Sequence, residues 1–214
     1  MRTIETISAL QEHLKQCRSQ GKTIALVPTM GGLHQGHLQL IDEARSHADV
    51  VVASIFVNPT QFSPFEDLDK YPHSPEADKK SLMNRGANVL FLPSVEQIYP
   101  KNQTSDYEVG EIAALLCGKS RPIHFNGVAQ VVSRFFDIVD PDVAVFGDKD
   151  YQQLQIIKQL VERQKRKIYI ASIGIVREGD GLAMSTRNKY LSASERILAP
   201  NFNQTLRQAK SNYE

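Results

Sequence analysis

The chain has 214 residues, of which 41% are hydrophobic, so it is long enough for one substantial domain with an appendage and short for two complete domains. Its 25 basic and 24 acidic residues leave a net charge of +1, which argues against nucleic-acid binding because no positive field is available to hold a polyanion. We expect no ordinary secretory signal and no membrane span, since charges interrupt the first residues and no apolar run is long enough. Cys17 and Cys117 are too few for a disulfide framework or a CxxC zinc site, which fits two unpaired thiols in a cytoplasmic protein.

Short apolar runs alternate with stretches of helical character along the chain. An amphipathic helix comes first, with Ile7, Leu10 and Leu14 on one face and Gly21 where a C-terminal glycine belongs. The apolar runs that predict buried strands are residues 24–27, 50–57, 89–92, 143–146 and 168–173. The predicted helices between the strands are residues 36–47, 75–85, 130–139 and 152–164. This alternation predicts an α/β fold, a doubly wound, Rossmann-like parallel sheet with helices on both faces.

Three further stretches are less regular. Residues 58–71 are rich in Pro, Phe and Asp and follow a strand directly, which predicts a structured loop at the sheet edge that binds ligands in open α/β folds. Residues 93–123 allow a short strand at 106–109 and a short helix at 111–116, and their layout stays open. The C-terminal segment predicts one helix with a capping box formed by Ser192 and Glu195, and Pro200 should bend or interrupt it.

Glycines and histidines are concentrated directly after the first long strand, in residues 28–37 (PTMGGLHQGH). Gly31 and Gly32 would let the backbone approach a ligand, while free amides and the dipole of the new helix favour an anion such as phosphate. His34 and His37 share a helix face and can donate to phosphate oxygens. Two alternatives remain open, namely two surface histidines beside a turn and a metal pair, which would need further ligands.

Polar residues also follow two later strands. In residues 147–150 (GDKD), Gly147 permits a tight turn, Lys149 supplies a mobile cation for phosphates and Asp150 can hold Mg²⁺ directly or through water. A solvated charge run without a role is the alternative. Asn58 and Gln61 offer amide donors and acceptors to a hydroxy acid, or merely tie down their proline-containing loop. The apolar candidates beside them, for the wall of such a site or for the core, are Val57, Phe62 and Phe65.

The HxGH element resembles the signature of the nucleotidyltransferase superfamily, and five segments in order resemble the pantothenate synthetase family. These segments are residues 27–37 (VPTMGGLHQGH), 54–62 (SIFVNPTQF), 121–128 (RPIHFNGV), 146–153 (FGDKDYQQ) and 177–188 (REGDGLAMSTRN). The resemblance covers roughly residues 27–196 and implies ATP-dependent ligation of pantoate and β-alanine. Pantoyl adenylate would be the intermediate, AMP and pyrophosphate would be released, and the enzyme would be a homodimer.

The resemblance also implies roles for individual residues, with catalysis resting on His34, His37, Lys149 and Arg187. The implied ATP contacts are Met30, Gly31, Gly32, Leu33, His34, Gln35, Gly36, His37, Gly147, Asp148, Lys149, Asp150, Val176, Met184, Ser185, Thr186 and Arg187. Pantoate would contact Asn58, Gln61 and Gln153. β-Alanine would contact Gln61 and His124, and Mg²⁺ would bind Asp150.

Two of these assignments have structural alternatives, since Val176 can be plain strand packing and His124 a structural histidine. The sequence departs from the family pattern at Asp148, where glutamate is common, at Ile123, where a small residue is common, and at Asn126, where a basic residue is common. The departures at Ile123 and Asn126 bear on the β-alanine contacts. The departure at Asp148 is mild, because Lys149 and Asp150 keep their places.

The expected domains are residues 1–178, which bind nucleotide and pantoate, and residues 179–214, a hinge with an incomplete C-terminal lid. The resembled family carries a small domain here that closes over ATP, and residues 188–214 are too few to build one. We therefore expect a truncated or shortened lid and a poorly anchored loop at residues 184–187. Two rival functions remain, another adenylyl- or cytidylyltransferase and a nucleotide-binding regulatory module.

Overall fold

The computed structural model describes residues 1–100 and 109–213. Six parallel strands form one sheet in the order β1-β4-β3-β2-β5-β6. The strands are β1 (Arg2–Ile4), β2 (Ile24–Thr29), β3 (Val50–Ile55), β4 (Val89–Phe91), β5 (Val143–Gly147) and β6 (Tyr169–Ile173). The predicted α/β fold with a parallel sheet is confirmed.

Helices connect the strands and cover both faces of the sheet. They are α1 (Ile7–Ser19), α2 (Gln35–His47), α3 (Pro75–Asn84), α4 (Val95–Ile98), α5 (Cys117–Ser120), α6 (His124–Val139), α7 (Tyr151–Arg163), α8 (Ala193–Leu198) and α9 (Asn201–Tyr213). In the described part of the chain, five short 3₁₀ helices lie at Pro59–Gln61, Leu68–Lys70, Glu111–Ala114, Asp148–Asp150 and Thr186–Tyr190. Within the described residues, no helix is both long enough and apolar enough to cross a membrane.

The alternation of side chains along the strands divides the core into two layers. In β2, Ile24 and Leu26 pack with α1, α6 and α7, whereas Ala25 and Val27 pack with α2 and α3 on the opposite face. All four side chains are fully buried. Burial on both faces explains why the strands are continuous apolar runs and not alternating ones.

The strand order places a ligand-binding crevice beside β2. The chain runs from β2 outward through β3 to β4, then crosses back so that β5 pairs with the other side of β2. In doubly wound sheets, ligands bind at the carboxyl ends of the strands where the order reverses. The segments that follow β2 and β5 therefore face one crevice.

Several boundaries differ from the sequence predictions. The strand β1 was not predicted, because three residues at a sheet edge carry too little pattern. Helix α6 begins at His124 and not at residue 130, since Phe125 and Val128 extend its buried face. The stretch predicted as a helix at 111–116 forms a 3₁₀ helix followed by the separate α5. Residues 106–108 of the predicted short strand lie outside the described residues.

The two C-terminal features predicted from sequence are confirmed. Ser192 and Glu195 form a reciprocal capping box at the start of α8. Pro200 lies between α8 and α9 and separates them, because proline cannot continue the hydrogen-bonded ladder of a helix.

Candidate active site

A cavity of about 240 Å³ opens at the carboxyl ends of β2 and β5, at the crevice expected from the strand order. Most of the residues predicted to form the site line it. They are Met30, His34, Gly36, His37, Asn58, Gln61, His124, Gly147, Lys149, Asp150, Gln153, Val176, Met184, Ser185, Thr186 and Arg187. Five predicted ATP contacts do not line this cavity, namely Gly31, Gly32, Leu33, Gln35 and Asp148.

The two histidines of the HxGH element form the N-terminal cap of α2. The Nδ1 atom of His34 accepts a hydrogen bond from the amide of Gly36 at 3.1 Å, and Nδ1 of His37 accepts one from the amide of His34 at 3.3 Å. The ring centroids of the two histidines are 4.1 Å apart. This reciprocal arrangement is a capping box in which imidazoles take the places of the usual serine and glutamate.

Gly36 leaves room for this cap. A Cβ atom at position 36 would lie 2.9 Å from Cε1 and 3.0 Å from Nδ1 of His34. Any side chain there would push the His34 ring out of its capping position. The glycine between the two histidines is therefore required by the packing of the first ring.

The cap fixes the proton positions of both rings. Because each Nδ1 accepts from a backbone amide, the single proton of each neutral imidazole lies on Nε2, which is left free to donate. Burial lowers the pKa of His37 to about 3, with smaller contributions from His34 and Lys149, and burial also lowers the pKa of His34. At neutral pH the cavity therefore presents two uncharged N–H donors.

The glycine turn before the histidines differs from the prediction. Its amides were expected to be free for phosphate, but the amides of Gly32 and Leu33 both donate to the carboxylate of Asp78 at 2.8 Å. The amide of Gly31 donates to Oγ1 of Thr29 at 3.3 Å. The amides of the turn are thus hydrogen-bonded within the protein, because a buried side chain from α3 occupies the position predicted for the ligand.

The segment after β5 places its charges on the cavity. Lys149 and Asp150 form a partly exposed ion pair with 3.4 Å between Nζ and Oδ2. The chain turns directly after Gly147 into the 3₁₀ helix at Asp148–Asp150, but the φ of Gly147 is −102°, an extended value that any residue adopts. A Cβ atom there would meet its nearest neighbour only at 4.0 Å, so the backbone does not require glycine at this position.

The fit of a magnesium ion depends on Asp150. Among the described residues, no group of three or more His, Cys, Asp or Glu side chains is placed to hold a metal. Mg²⁺ is commonly held by one or two carboxylates together with substrate phosphates and waters. The Asp150 side chain is 62% exposed on the cavity, which suits this kind of shared coordination.

Among the polar residues of the loop after β3, some stabilise the loop itself and others face the ligand site. Asn58 is 1% exposed, and its amide donates to the Gly127 carbonyl at 3.0 Å and to Oε1 of Gln61 at 3.1 Å. Its Oδ1 accepts from the hydroxyl of Tyr99 at 2.7 Å and from the Thr60 side chain at 3.0 Å. This geometry favours the loop-bracing alternative for Asn58.

Gln61 and His124 lie together in the cavity wall, and both are buried. Nδ1 of His124 donates to the backbone carbonyl of Gln61 at 3.0 Å, which leaves Nε2 as an acceptor. Burial lowers the pKa of His124, although the bond to the Gln61 carbonyl opposes this effect. The Gln61 side chain donates to Sδ of Met30 at 3.3 Å, a weak bond that a substrate oxygen can replace.

The loop at residues 184–187 is well anchored, contrary to the prediction. Oγ1 of Thr186 donates to the carbonyl of Gly32 at 3.0 Å. The Arg187 guanidinium binds both carboxylate oxygens of Asp67, at 2.8 and 2.9 Å, and lies 5.3 Å from the ring centre of Tyr71. The prediction failed because the partners of the loop come from residues 58–71 and from the glycine turn, and not from a lid domain.

Some lining residues were not predicted. Tyr71 and Arg121 bring a hydroxyl and a cation to the cavity, and Arg121 also pairs with Glu66. The signal for both was available, since Tyr71 ends the loop predicted to bind ligands and Arg121 begins one of the family-like segments. The apolar part of the wall includes Phe56, Val128, Val131, Val132, Phe135, Val145 and Phe146, together with Leu40 and Ile173.

The three apolar candidates from the loop have other environments. Phe65 is 99% exposed, so the prediction that it belongs to the site wall or the core is wrong. Phe62 is buried beneath the Arg187 guanidinium, 6.0 Å from its ring centre, and Val57 is half-buried; neither lines the cavity. Their hydrophobicity alone did not indicate the direction of the side chains.

The positions that depart from the family pattern lie outside the cavity wall. Ile123 is 47% exposed, Asn126 is exposed and Asp148 is half-buried, and none of them lines the cavity. The departures therefore leave the lining described above unchanged.

Comparison with known proteins bears directly on this site. Residues 2–214 match the family described as Pantoate-beta-alanine ligase. The chain is 57% identical over 188 residues to the pantothenate synthetase of Ruthia magnifica, covering 88% of this chain and 67% of that protein. It is 54% identical over 205 residues to the pantothenate synthetase of a Psychrobacter strain, covering 95% and 71%.

Solved structures give the same result for the fold. The pantothenate synthetase of Thermus thermophilus superposes with a TM-score of 0.89 at 43% identity, covering 95% of this chain and 72% of that one. The pantoate–β-alanine ligase of Francisella tularensis, complexed with beta-gamma ATP and β-alanine, superposes with a TM-score of 0.91 at 39% identity, covering 97% and 79%. By the match along its length, the likeness of its fold and the identity to these enzymes, the chain belongs to the pantoate–β-alanine ligase family.

Proposed function

We propose that the chain joins pantoate to β-alanine with ATP, through a pantoyl-adenylate intermediate, and releases AMP and pyrophosphate. One observation carries the proposal: His34 and His37, whose Nδ1 atoms are used in the helix cap, line the same cavity as Lys149, Gln61 and Gln153. That combination supplies donors for phosphate oxygens beside amides for a hydroxy acid. The Francisella tularensis relative, complexed with beta-gamma ATP and β-alanine, supports the assignment of two of the substrates.

In the first half-reaction, a carboxylate oxygen of pantoate attacks the α-phosphorus of ATP. A carbon–oxygen–phosphorus linkage forms, the bond to the bridging oxygen breaks, and pyrophosphate leaves with that electron pair. His34 and His37 donate from Nε2 to the phosphate oxygens on which charge develops, and Lys149 adds a positive charge. Mg²⁺, held by Asp150 with the phosphates, would supply further charge neutralisation when bound.

In the second half-reaction, the amine of β-alanine attacks the acyl carbon of the mixed anhydride. The amide bond forms, AMP leaves with the electron pair of the acyl–oxygen bond, and the amine loses a proton. Gln61 orients pantoate and lies next to His124, whose Nε2 is left as an acceptor for the β-alanine amine. Neither half-reaction needs a protein nucleophile, so orientation and charge stabilisation supply the catalysis.

Arg187 belongs to the same proposal. The loop that carries it lines the cavity, and its guanidinium is held on Asp67 at the cavity rim. Rotation of this side chain toward the triphosphate stabilises the departing pyrophosphate. Residues 1–178 form the nucleotide- and pantoate-binding unit in this proposal, and residues 179–214 form the hinge and lid segment.

Two further aspects follow the family resemblance. The enzyme acts as a homodimer, which light scattering on the purified chain tests. It acts in the cytoplasm, which fits the free thiols of Cys17 and Cys117. Fractionation of the source cells tests the second point.

A substrate-omission assay tests the activity. The chain is supplied with ATP, pantoate and β-alanine, and AMP, pyrophosphate and pantothenate are measured with each substrate left out in turn. We expect exchange of labelled pyrophosphate into ATP that requires pantoate but not β-alanine. AMP formation independent of pantoate would indicate another transferase, and nucleotide binding without turnover would indicate a regulatory module.

The matched variant for this assay is His37→Gln. Glutamine is a usual residue at the third position of a capping box, so its amide oxygen can still accept from the His34 amide. The imidazole donor is lost while the helix cap is kept. A pantoate-dependent exchange rate within a few-fold of the unmodified chain would refute the role of His37.

A further inference from the structure

We propose that Asp78 is a positioning residue for ATP, which fixes the turn at residues 31–33 and keeps phosphate off its amides. The inference deepens the proposed function and rests on it, since its subject is the nucleotide site. Asp78 lies outside the cavity lining, and no sequence motif points to it.

The carboxylate of Asp78 is built into the turn. Asp78 is 3% exposed in the first turns of α3, with Oδ2 accepting from Gly32 and Oδ1 from Leu33, both at 2.8 Å. Among the described residues, no salt bridge neutralises this carboxylate. A buried charge is tolerated only when it is hydrogen-bonded, and here the two amides of the turn supply the bonds.

The turn at residues 31–33 needs contacts from other parts of the fold, because its glycines can adopt many backbone conformations. Gly31 and Gly32 have φ values of 84° and 62°, in the left-handed region where glycine moves freely among conformations. The Gly32 carbonyl accepts from Thr186, and a Cβ atom at Gly32 would lie 2.5 Å from Cγ2 of that threonine. The turn is therefore clamped between α3 on one side and the loop at residues 184–187 on the other.

The position of the turn determines the position of the catalytic donors. His34 follows Leu33 directly and is the N-cap of α2, so a shift of the turn moves the His34 ring and the amide that holds His37. Small misplacements of such donors carry large kinetic penalties. Asp78 acts on catalysis through these two rings and does not touch the cavity itself.

The same carboxylate determines where the phosphates can bind. Glycine-rich turns before a helix are common phosphate sites because their amides are free. Here the amides of Gly32 and Leu33 are directed at Asp78, and its negative charge repels an anion approaching that turn. The triphosphate is therefore directed to the histidine donors and to Lys149.

The test compares two variants of the same helix. Asp78→Asn keeps the size of the side chain but removes its charge and places an NH₂ group against one of the two amide N–H donors. Leu82→Ala removes a side chain that is 1% exposed on α3 and packs in the core, and it leaves both hydrogen bonds from the turn to Asp78 in place. Both variants should destabilise the fold, and only the first should change the nucleotide site.

We measure binding of a non-hydrolysable β,γ-substituted ATP analogue with Mg²⁺ by calorimetry, and KM for ATP and for β-alanine by turnover. For Asp78→Asn we expect the Kd of the analogue and the KM for ATP to rise about tenfold or more, because displacement of the two histidine donors outweighs the relief of repulsion at the turn. We expect the KM for β-alanine to stay within about twofold, since its site does not depend on the turn. Leu82→Ala should lower the midpoint of urea unfolding and leave all three constants unchanged.

The results distinguish a failure of the role of Asp78 from a failure of the proposed ligase function. If Asp78→Asn binds the analogue as tightly as the unmodified chain, or if Leu82→Ala raises Kd equally, Asp78 is only structural and the inference is wrong. If the unmodified chain binds the analogue but makes no pantoate-dependent AMP, the proposed function fails and the binding comparison still decides the role of Asp78. If the unmodified chain does not bind the analogue, both proposals are overturned.

Discussion

The neutral state of His37 makes the stability of this fold depend on pH. In the unfolded chain the imidazole titrates at its ordinary pKa of 6.5, whereas burial lowers its pKa to about 3 in the fold. Below 6.5 the unfolded state therefore binds a proton that the folded state does not. The stabilising contribution is complete above the unfolded pKa and is lost progressively as the pH falls through the interval toward 3.

The size of the effect follows from the two pKa values. One unit of pKa difference corresponds to about 1.4 kcal/mol, so lowering the pH from about 7 to about 5 removes roughly 2 kcal/mol through His37 alone. Burial also lowers the pKa values of His13, His34 and His124, and these groups act in the same direction. The total loss should therefore exceed the contribution of His37.

The contribution of His37 is obtained by comparing the pH dependence of stability in the unmodified chain and in a variant without this histidine. Urea unfolding of the unmodified chain and of His37→Gln is followed by circular dichroism at both pH values, and the free energies of unfolding are extrapolated to water. We expect the variant to lose about 2 kcal/mol less than the unmodified chain over this interval. Equal losses in the two proteins would show that His37 is not held neutral by the fold, and would refute the proton assignment at the HxGH element.

Three further changes have defined expectations. Gly36→Ala places a Cβ atom 2.9 Å from the His34 ring, so we expect kcat/KM for ATP, measured by turnover, to fall about tenfold or more. Asp67→Ala removes the bidentate bond to Arg187, and we expect unfolding free energy to fall by about 1 kcal/mol in urea titrations, because the pair is partly exposed. Asp140→Gly places glycine at a φ of 47° after α6, and we expect a gain of about 0.5–1 kcal/mol in the same titrations.

Asp67→Ala has a control variant, and Gly36→Ala and Asp140→Gly each have an outcome that would contradict the expectation. Unchanged nucleotide kinetics in Gly36→Ala would show that the His34 ring need not occupy its cap. Asp69→Asn, an exposed carboxylate in the same loop, should leave stability unchanged and serves as the control for Asp67. A destabilised Asp140→Gly would show that the aspartate side chain supports the helix end in a way that outweighs the backbone conformation.

The sequence determined the fold class because its signals are local and repeated. Five apolar runs specified β2 to β6, of which β2 to β5 are almost wholly buried, and the helical stretches between them required parallel pairing. The edge strand β1 escaped detection because three residues, only one of them buried, carry no such pattern. The start of α6 was missed because burial of its first two turns depends on contacts with the distant loop that contains Gln61.

The sequence also determined which residues belong together at the site. The resemblance to the family assigned the segments after β2 and β5 to one ATP site, and the cavity contains residues of both. The resemblance to the family supplied the substrates, which no periodicity or spacing encodes. The proton positions at His34 and His37 were not deducible, because they depend on which backbone amide each Nδ1 meets.

Only the tertiary structure decided how the polar groups are shared between the protein and a ligand. The amides of the glycine turn are taken by Asp78, the amide of Asn58 by its own loop and the Gly127 carbonyl, and the guanidinium of Arg187 by Asp67. Most of these bonds join residues far apart in the chain, and in each the competing partner is another protein group and not solvent. A sequence motif indicates which groups are able to bind a phosphate or a carboxylic acid. Which of those groups stay free for a ligand depends on the protein acceptors that come from distant parts of the chain.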